Sequence, residues 1–192
     1  MHPKVSEASC LFAVMTDPPV QIPHQPAHER ETEALPALLG CHERLEQMIG
    51  HGRIDFGDRA FDADLAAQLG DAFPAAQQFA TAAGFALRIA CPLAGREVPD
   101  LPRALAPRLA VARAMLGGMR PDEFIGAEDR IIRHKAGFAE VEQTGSDFLF
   151  LYGLPNFFFH ITMGYATLRA AGVALGKADF DGFHDYPAGF RF

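Results

Sequence analysis

The most informative stretch of the chain is Leu154–His160, which reads LPNFFFH and, with the residues up to Gly172, predicts one amphipathic helix. Pro155 suits the first turn of that helix, because the N–H that proline lacks would have no partner there. Gly172 suits the left-handed position that follows a last helical turn. Asn156 and His160 lie four residues apart, so their side chains project from one face. An amide and an imidazole on one face can hold a metal ion or a polar ligand.

Composition limits the classes of protein to which the chain can belong. Its 192 residues are 49% hydrophobic and include 17 Phe, which is enough for one domain with a sizeable core. The net charge of -7 and the absence of a basic cluster argue against a nucleic-acid-binding protein. No segment approaches the roughly 20 apolar residues of a membrane-spanning helix. The three widely spaced cysteines favour reduced thiols, so we expect a cytoplasmic protein of bacterial type.

Helical periodicity and terminal signals predict four helices. The first runs from about Thr32 to Gly50, and the second is entered through Asp71 and Pro74 and closes at Cys91-Pro92. The third follows Pro102 and ends at Gly117-Gly118. The fourth begins at Ser146-Asp147 and continues through Leu154–His160, and Gly153 and Pro155 are expected to bend or interrupt it.

Between the third and fourth helices, residues 121–145 lose the helical period and resemble a small polar hairpin. Short connections between helices favour an antiparallel arrangement. We therefore predict an all-α fold, an antiparallel four-helix bundle with a hairpin-like excursion between helices 3 and 4. The bundle is expected over residues 31–182, after a flexible proline-punctuated arm at 1–30 and before a C-terminal tail at 183–192.

The same residues carry a resemblance to a known family. The chain resembles a bacterial family of unknown function in the DinB/YfiT-like group of four-helix bundles, which are regarded as candidate metalloenzymes. The resemblance covers roughly residues 33 to 182 and implies the same bundle fold. It rests on Leu154–His160, Tyr165, Leu168-Arg169, Gly172-Val173, Leu175–Lys177 and Asp179-Phe180, and more weakly on Phe73-Pro74 with Gln78, Leu93–Gly95, Val98-Pro99, and Phe124 with Glu128-Asp129.

The resemblance also implies a site. Members of this group typically bind a divalent metal with three histidines, one from the second helix and two from an HxxxH pair on the last. Here His160 matches the second histidine of that pair, Asn156 stands at the first, and Gln78 (or Gln77) stands on the second helix. The implied metal set is therefore His160, Asn156 and Gln78, a degenerate site at which zinc, nickel or iron is a possible cofactor.

Amide oxygens are weak donors to such metals, so three alternatives stay open for these side chains. They form a metal site, a small polar pocket without metal, or a buried hydrogen-bonded cluster that fixes helix register.

Two functions follow from these alternatives. In the first, the site around Gln78, Asn156 and His160 handles a small-molecule ligand, and the resemblance suggests thiol transfer or hydrolysis, with His160 as the one clear candidate base. In the second, the protein is a non-catalytic structural bundle, a homodimer that has lost the metal ligands. The sequence does not decide whether the protein is an enzyme.

Overall fold

The computed structural model of the chain describes residues 65–181 and, beyond them, residues 184, 186, 187 and 190. The arm at 1–30, the first predicted helix and nearly all of the tail at 183–192 therefore lie outside the described residues. In chain order the elements are α1 (Ala75–Leu93), α2 (Leu105–Gly117), a 3-10 turn (Pro121–Phe124), β1 (Ile131–Ala136), β2 (Ala139–Thr144), α3 (Gly145–Asp147), a π-helix (Phe148–Gly153), α4 (Leu154–Ala170) and α5 (Lys177–Asp181).

Helix α1 is the centre of the described core. Pro74 occupies the position just before its first turn, one residue earlier than the sequence predicted. Most of the helix is buried, and it packs against both α2 and α4. At its end Gly95 has a φ of +70°, which lets Arg96 N–H donate to the Cys91 carbonyl and close the last turn. Burial on nearly all sides explains why its residues are almost all apolar.

Two glycines allow the last helical run (residues 145–170) to approach α1 closely. A Cβ on Gly153 would lie 2.7 Å from Ile89 Cγ1, and a Cβ on Gly164 would lie 2.7 Å from Phe79 Cζ. Both distances are shorter than a carbon–carbon contact of about 3.5–4.0 Å. The sequence predicted that Gly153 and Pro155 bend or interrupt the helix, and it did not predict that Gly153 is needed for close helix packing.

The last helical run is continuous but changes its winding. The Thr144 hydroxyl accepts from Asp147 N–H at its start, at 3.2 Å. The chain then widens into the π-helix Phe148–Gly153 and returns to regular helix at Leu154, directly before Pro155. A proline ring clashes with the carbonyl four residues earlier, and a widened turn relieves that clash. Gly172 ends α4 with a φ of +92°, which confirms the predicted left-handed cap.

The predicted excursion is a regular antiparallel hairpin. Strands β1 and β2 pair in the register Arg133 with Glu142 and Lys135 with Glu140, and both pairs form exposed ion pairs. Gly137 turns the chain with a φ of +62°, and the exposed Phe138 lies in that turn rather than in a strand. The described fold is therefore mostly helical with a small two-stranded sheet, and not purely α.

Two arginine side chains link the C-terminal end of α1 to the segment between α2 and β1. Arg130 donates to the Leu93 carbonyl at the C-terminus of α1. Arg96 forms a two-pronged ion pair with Glu123 of the 3-10 turn, with Nη2 at 2.6 Å from Oε1. In the described part of the chain, no helix combines the length and the apolar character needed to cross a membrane.

Candidate functional site

Gln78 is a buried polar residue of α1, and it directly follows Gln77, which is exposed. It is only 2% exposed, although a buried amide costs free energy unless it is hydrogen-bonded. Phe85 and Arg88 follow it at the helical spacing that brings all three to one face. Phe85 is buried and Arg88 is exposed, so this face runs from the core to solvent.

The last helical run presents a second set of side chains toward that face. Tyr152, Asn156 and His160 follow each other at intervals of four residues, so they lie along one side of the run. All three are partly buried. We call the side chains that meet here the inter-helix site, which comprises Gln78, Phe85, Arg88, Tyr152, Asn156 and His160.

The hydrogen bond between His160 and Gln78 joins the two helices. His160 Nδ1 lies 2.8 Å from Gln78 Oε1. An amide oxygen only accepts hydrogen bonds, so Nδ1 carries the proton and donates it to Gln78. In the neutral ring Nε2 is then the unprotonated nitrogen, with a lone pair that can accept a hydrogen bond.

Aromatic packing and charge keep His160 neutral. Its ring stacks on Phe85, with centroids 5.6 Å apart and an interplanar angle of 23°. Burial lowers the pKa of His160, and the positive charge of Arg88 lowers that pKa further. Arg88 is held close by, with its guanidinium carbon 5.3 Å from the Phe85 ring centroid. The imidazole is therefore an uncharged acceptor near pH 7.

Asn156 has a different partner from the one that the sequence suggested. Its Nδ2 donates to the Tyr152 carbonyl at 2.7 Å, within the turn that the π-helix widens. The structure thus brings Gln78 and His160 into direct contact. The Asn156 amide instead donates a hydrogen bond to a backbone carbonyl one turn earlier. Asn156 remains on the same side of the helix as His160 but serves the local fold.

The chain matches one known family model over most of its length. The family model described as Domain of unknown function (DUF1993) matches residues 33–181 of the chain. The chain belongs to the DUF1993 family.

A solved structure supports the fold of this DUF1993 protein. The chain is similar to a DinB family member protein from Shewanella denitrificans, at 24% sequence identity and a TM-score of 0.55, over 83% of this chain and 91% of that chain. This likeness shows a shared DinB-like fold. No curated protein matches the chain. The predicted resemblance to an uncharacterised DinB-like family is therefore confirmed.

Gln78, Asn156 and His160 are a poor donor set for a tightly held transition metal, because two of the three side chains are neutral amides. A metal ion bound by both Gln78 and His160 would require their mutual contact to be given up, since Gln78 Oε1 lies beside His160 Nδ1. Asn156 uses only its Nδ2 in the bond to the Tyr152 carbonyl, so its Oδ1 would be a weak additional ligand. His160 Nε2 would remain as the one strong donor. Within residues 65–181, no three His, Cys, Asp or Glu side chains are grouped so as to hold a metal ion.

Sequence reasoning missed one histidine beside the site. His134 lies in the polar hairpin and was not among the predicted site residues, but its ring packs on Tyr152 with centroids 4.1 Å apart. Its Nε2 lies 2.8 Å from Gln143 Oε1, and its buried Nδ1 has no hydrogen-bond partner among the described residues. Tyr152 also contacts Phe85, at 5.9 Å between centroids, so aromatic packing connects the hairpin to His160. The alternation of polar residues in β1 was the available signal for an inward-facing position.

Proposed function

We propose that the inter-helix site binds a small polar molecule without the help of a metal ion, with His160 Nε2 as the hydrogen-bond acceptor. The observation that carries this proposal is the 2.8 Å contact between His160 Nδ1 and Gln78 Oε1. The Gln78 amide holds the proton on Nδ1, so Nε2 is the nitrogen that faces a ligand. Histidines that bind metals or act in catalysis are oriented by a hydrogen bond to the other ring nitrogen in the same way.

The neutral state of His160 supports a role as a base. A base must be unprotonated at the working pH, and the lowered pKa of His160 meets that condition. The thiol transfer or hydrolysis that the family resemblance suggests would need a group that takes a proton from a thiol or from water. In this proposal His160 takes that proton on Nε2, while Gln78 holds Nδ1–H.

The proposed setting is a four-helix bundle. The described α1, α2 and the run at 145–170 supply three of its helices, and we propose that the predicted helix from Thr32 to Gly50 supplies the fourth. The proposed bundle spans residues 31–182, and its proposed location is the cytoplasm. The similarity to the DinB family member over 83% of this chain supports this arrangement.

The proposal is tested by a ligand screen with two matched variants. Small polar molecules are screened by saturation-transfer NMR against the wild-type protein, His160→Ala and Thr162→Ala. Thr162 is exposed and lies two residues beyond His160, so it points away from the site. Ligands should bind the wild type and Thr162→Ala and be lost in His160→Ala. Ligands that bind all three proteins equally, while circular dichroism shows all three folded, would refute the proposal.

The second candidate function is a homodimer without catalysis. It is favoured by Leu151 and Phe159, which are 64% and 57% exposed on the last helical run. Light scattering on the wild type and on Phe159→Ser decides this alternative. A dimer that becomes a monomer in the variant would support it, and a wild-type monomer at all concentrations would rule it out.

A further inference from the structure

Arg88 is the one charged residue of helix α1, whose other residues in Ala75–Leu93 are all uncharged. The side chain is exposed, its guanidinium carbon lies 5.3 Å from the centroid of the Phe85 ring, and His160 stacks on that same ring. No carboxylate forms an ion pair with it in the part of the chain that the structure describes. An arginine fork held over an aromatic ring keeps its N–H groups available for a planar acceptor.

The two described helices that form this site carry few acidic side chains, although the chain as a whole has a net charge of -7. The last helical run contains two charged residues, Asp147 at its start and Arg169 near its end. Arg169 lies against Tyr165 at the other end of the helix pair, away from Arg88. On these two described helices, Arg88 is the charged side chain that lies at the inter-helix site, and a positive side chain attracts anions.

His160 supplies the complementary acceptor. Its Nδ1–H donates to Gln78 Oε1, so Nε2 is the ring nitrogen that carries the lone pair. A neutral Nε2 needs a donor, whereas Arg88 needs an acceptor. The two requirements together describe a ligand with an oxyanion and a neighbouring O–H or N–H group.

We propose that the molecule bound at the inter-helix site carries a carboxylate or a phosphate, which pairs with Arg88, and a hydroxyl or amine that donates to His160 Nε2. The exposed guanidinium stacked on Phe85, the stacking of His160 on the same ring and the Gln78–His160 contact carry this assignment. It rests on the proposed function, since it names the chemistry of the ligand for that same site.

Three small probes separate the contributions of the anion and the hydroxyl. Lactate supplies a carboxylate with a hydroxyl, inorganic phosphate supplies a phosphate, and propane-1,2-diol keeps a similar carbon skeleton with hydroxyls but no anion. Each is titrated into protein labelled with 15N in its histidines, and the Kd is taken from the shifts of the His160 ring. Wild type is compared with Arg88→Gln, with Arg88→Lys and with the control Arg103→Gln, which removes an exposed arginine outside the site.

The expected result is that lactate or phosphate binds and that the diol binds at least about tenfold more weakly. Arg88→Gln should weaken binding of the anion by about tenfold or more, Arg88→Lys by less, and Arg103→Gln not at all. Whichever of lactate and phosphate binds more tightly identifies the kind of oxyanion.

Two results would overturn the assignment in different ways. If the diol binds as tightly as lactate, and Arg88→Gln changes nothing, the oxyanion is wrong while the proposed binding function stands. If none of the three probes shifts the His160 ring, the proposed binding role of His160 fails together with the oxyanion assignment. Because Arg88 is exposed, Arg88→Gln is expected to fold normally, and its circular dichroism spectrum checks this.

Discussion

The close approach of the last helical run to α1 can be tested with two Gly→Ala substitutions of opposite expected effect. In Gly164→Ala the new methyl group would lie 2.7 Å from Phe79 Cε1 and Cζ and 3.0 Å from Cε2. Phe79 is fully buried, so its ring has no free space to move into, and the two helices must separate. In Gly84→Ala the methyl group would meet Arg108 Nη1 at 3.7 Å and Leu101 Cδ1 at 3.8 Å, which are ordinary contacts.

The magnitudes follow from two opposing terms. Replacing glycine by alanine inside a helix gains about 0.5–1 kcal/mol. Overpacking a core costs typically about 1–3 kcal/mol, and three ring atoms at 3.0 Å or less place Gly164→Ala in the upper part of that range. The net expectation is a loss of about 1–2 kcal/mol in the free energy of unfolding for Gly164→Ala, and a gain of up to about 1 kcal/mol for Gly84→Ala.

Urea unfolding followed by circular dichroism measures both values, with the slope m checked for a change in the unfolded state. Gly164 lies one turn beyond His160, so separation of the helices at Gly164→Ala should also perturb the Gln78–His160 contact. The reasoning is refuted if Gly164→Ala is as stable as the wild type, or if both substitutions change stability by the same amount and sign.

Three further predictions concern polar groups at and around the site. Gln78→Leu leaves His160 Nδ1–H without its acceptor and should lower the free energy of unfolding by about 1–3 kcal/mol, measured by urea unfolding. The hydrogen bond from Arg96 lowers the pKa of Glu123, so the stability that this pair contributes is present above the unfolded pKa of about 4.3 and is lost as the pH falls through the lowered folded pKa. The melting temperature of wild type should therefore fall more steeply in acid than that of Glu123→Gln. Burial raises the pKa of the Cys91 thiol to about 11, so in a variant whose other cysteines are serine it should react with a thiol reagent at pH 8 only after unfolding.

Each of these has an outcome that contradicts it. A Gln78→Leu protein with wild-type stability would mean that the His160 contact contributes nothing to folding. Parallel acid profiles for wild type and Glu123→Gln would show that the Arg96 pair does not titrate with folding. Rapid labelling of Cys91 in the folded protein would show that the thiol is accessible and its pKa is not raised.

His160 also makes stability depend on pH in a defined direction. Its pKa is lower in the folded protein than the unfolded value of about 6.5, so the unfolded state binds the extra proton first. The stability associated with neutral His160 is therefore complete above about pH 6.5 and decreases as the pH falls from there toward the folded pKa.

Local signals in the sequence predicted the elements better than their contacts. The helix end at Gly172 and the hairpin were predictable, because a glycine cap and a change of hydrophobic period act over a few residues. The roles of Gly153 and Gly164 were not, because each depends on which residue of α1 lies opposite. That pairing is set by three-dimensional packing and leaves no trace in the local pattern.

The sequence also predicted some residues of the site but not all of their contacts. The alignment with the DinB-like pattern singled out Gln78, Asn156 and His160 together, and the structure brings Gln78 and His160 into contact. The DinB-like pattern could not predict that Asn156 donates to the Tyr152 carbonyl, because that bond follows from the widened turn ahead of Pro155. His134 was missed because its burial depends on the hairpin packing against Tyr152, a contact between distant parts of the chain.

The central claim is that His160 is a neutral imidazole held through Nδ1 by Gln78, and its most direct test is long-range 1H–15N NMR of the histidine rings. We expect the His160 ring to show a protonated Nδ1 and an unprotonated Nε2 at pH 7, a pKa below about 6.5, and no change when a chelator is added. A ring protonated at Nε2 would contradict the claim, and ring shifts that a chelator alters would return His160 to the role of a metal ligand.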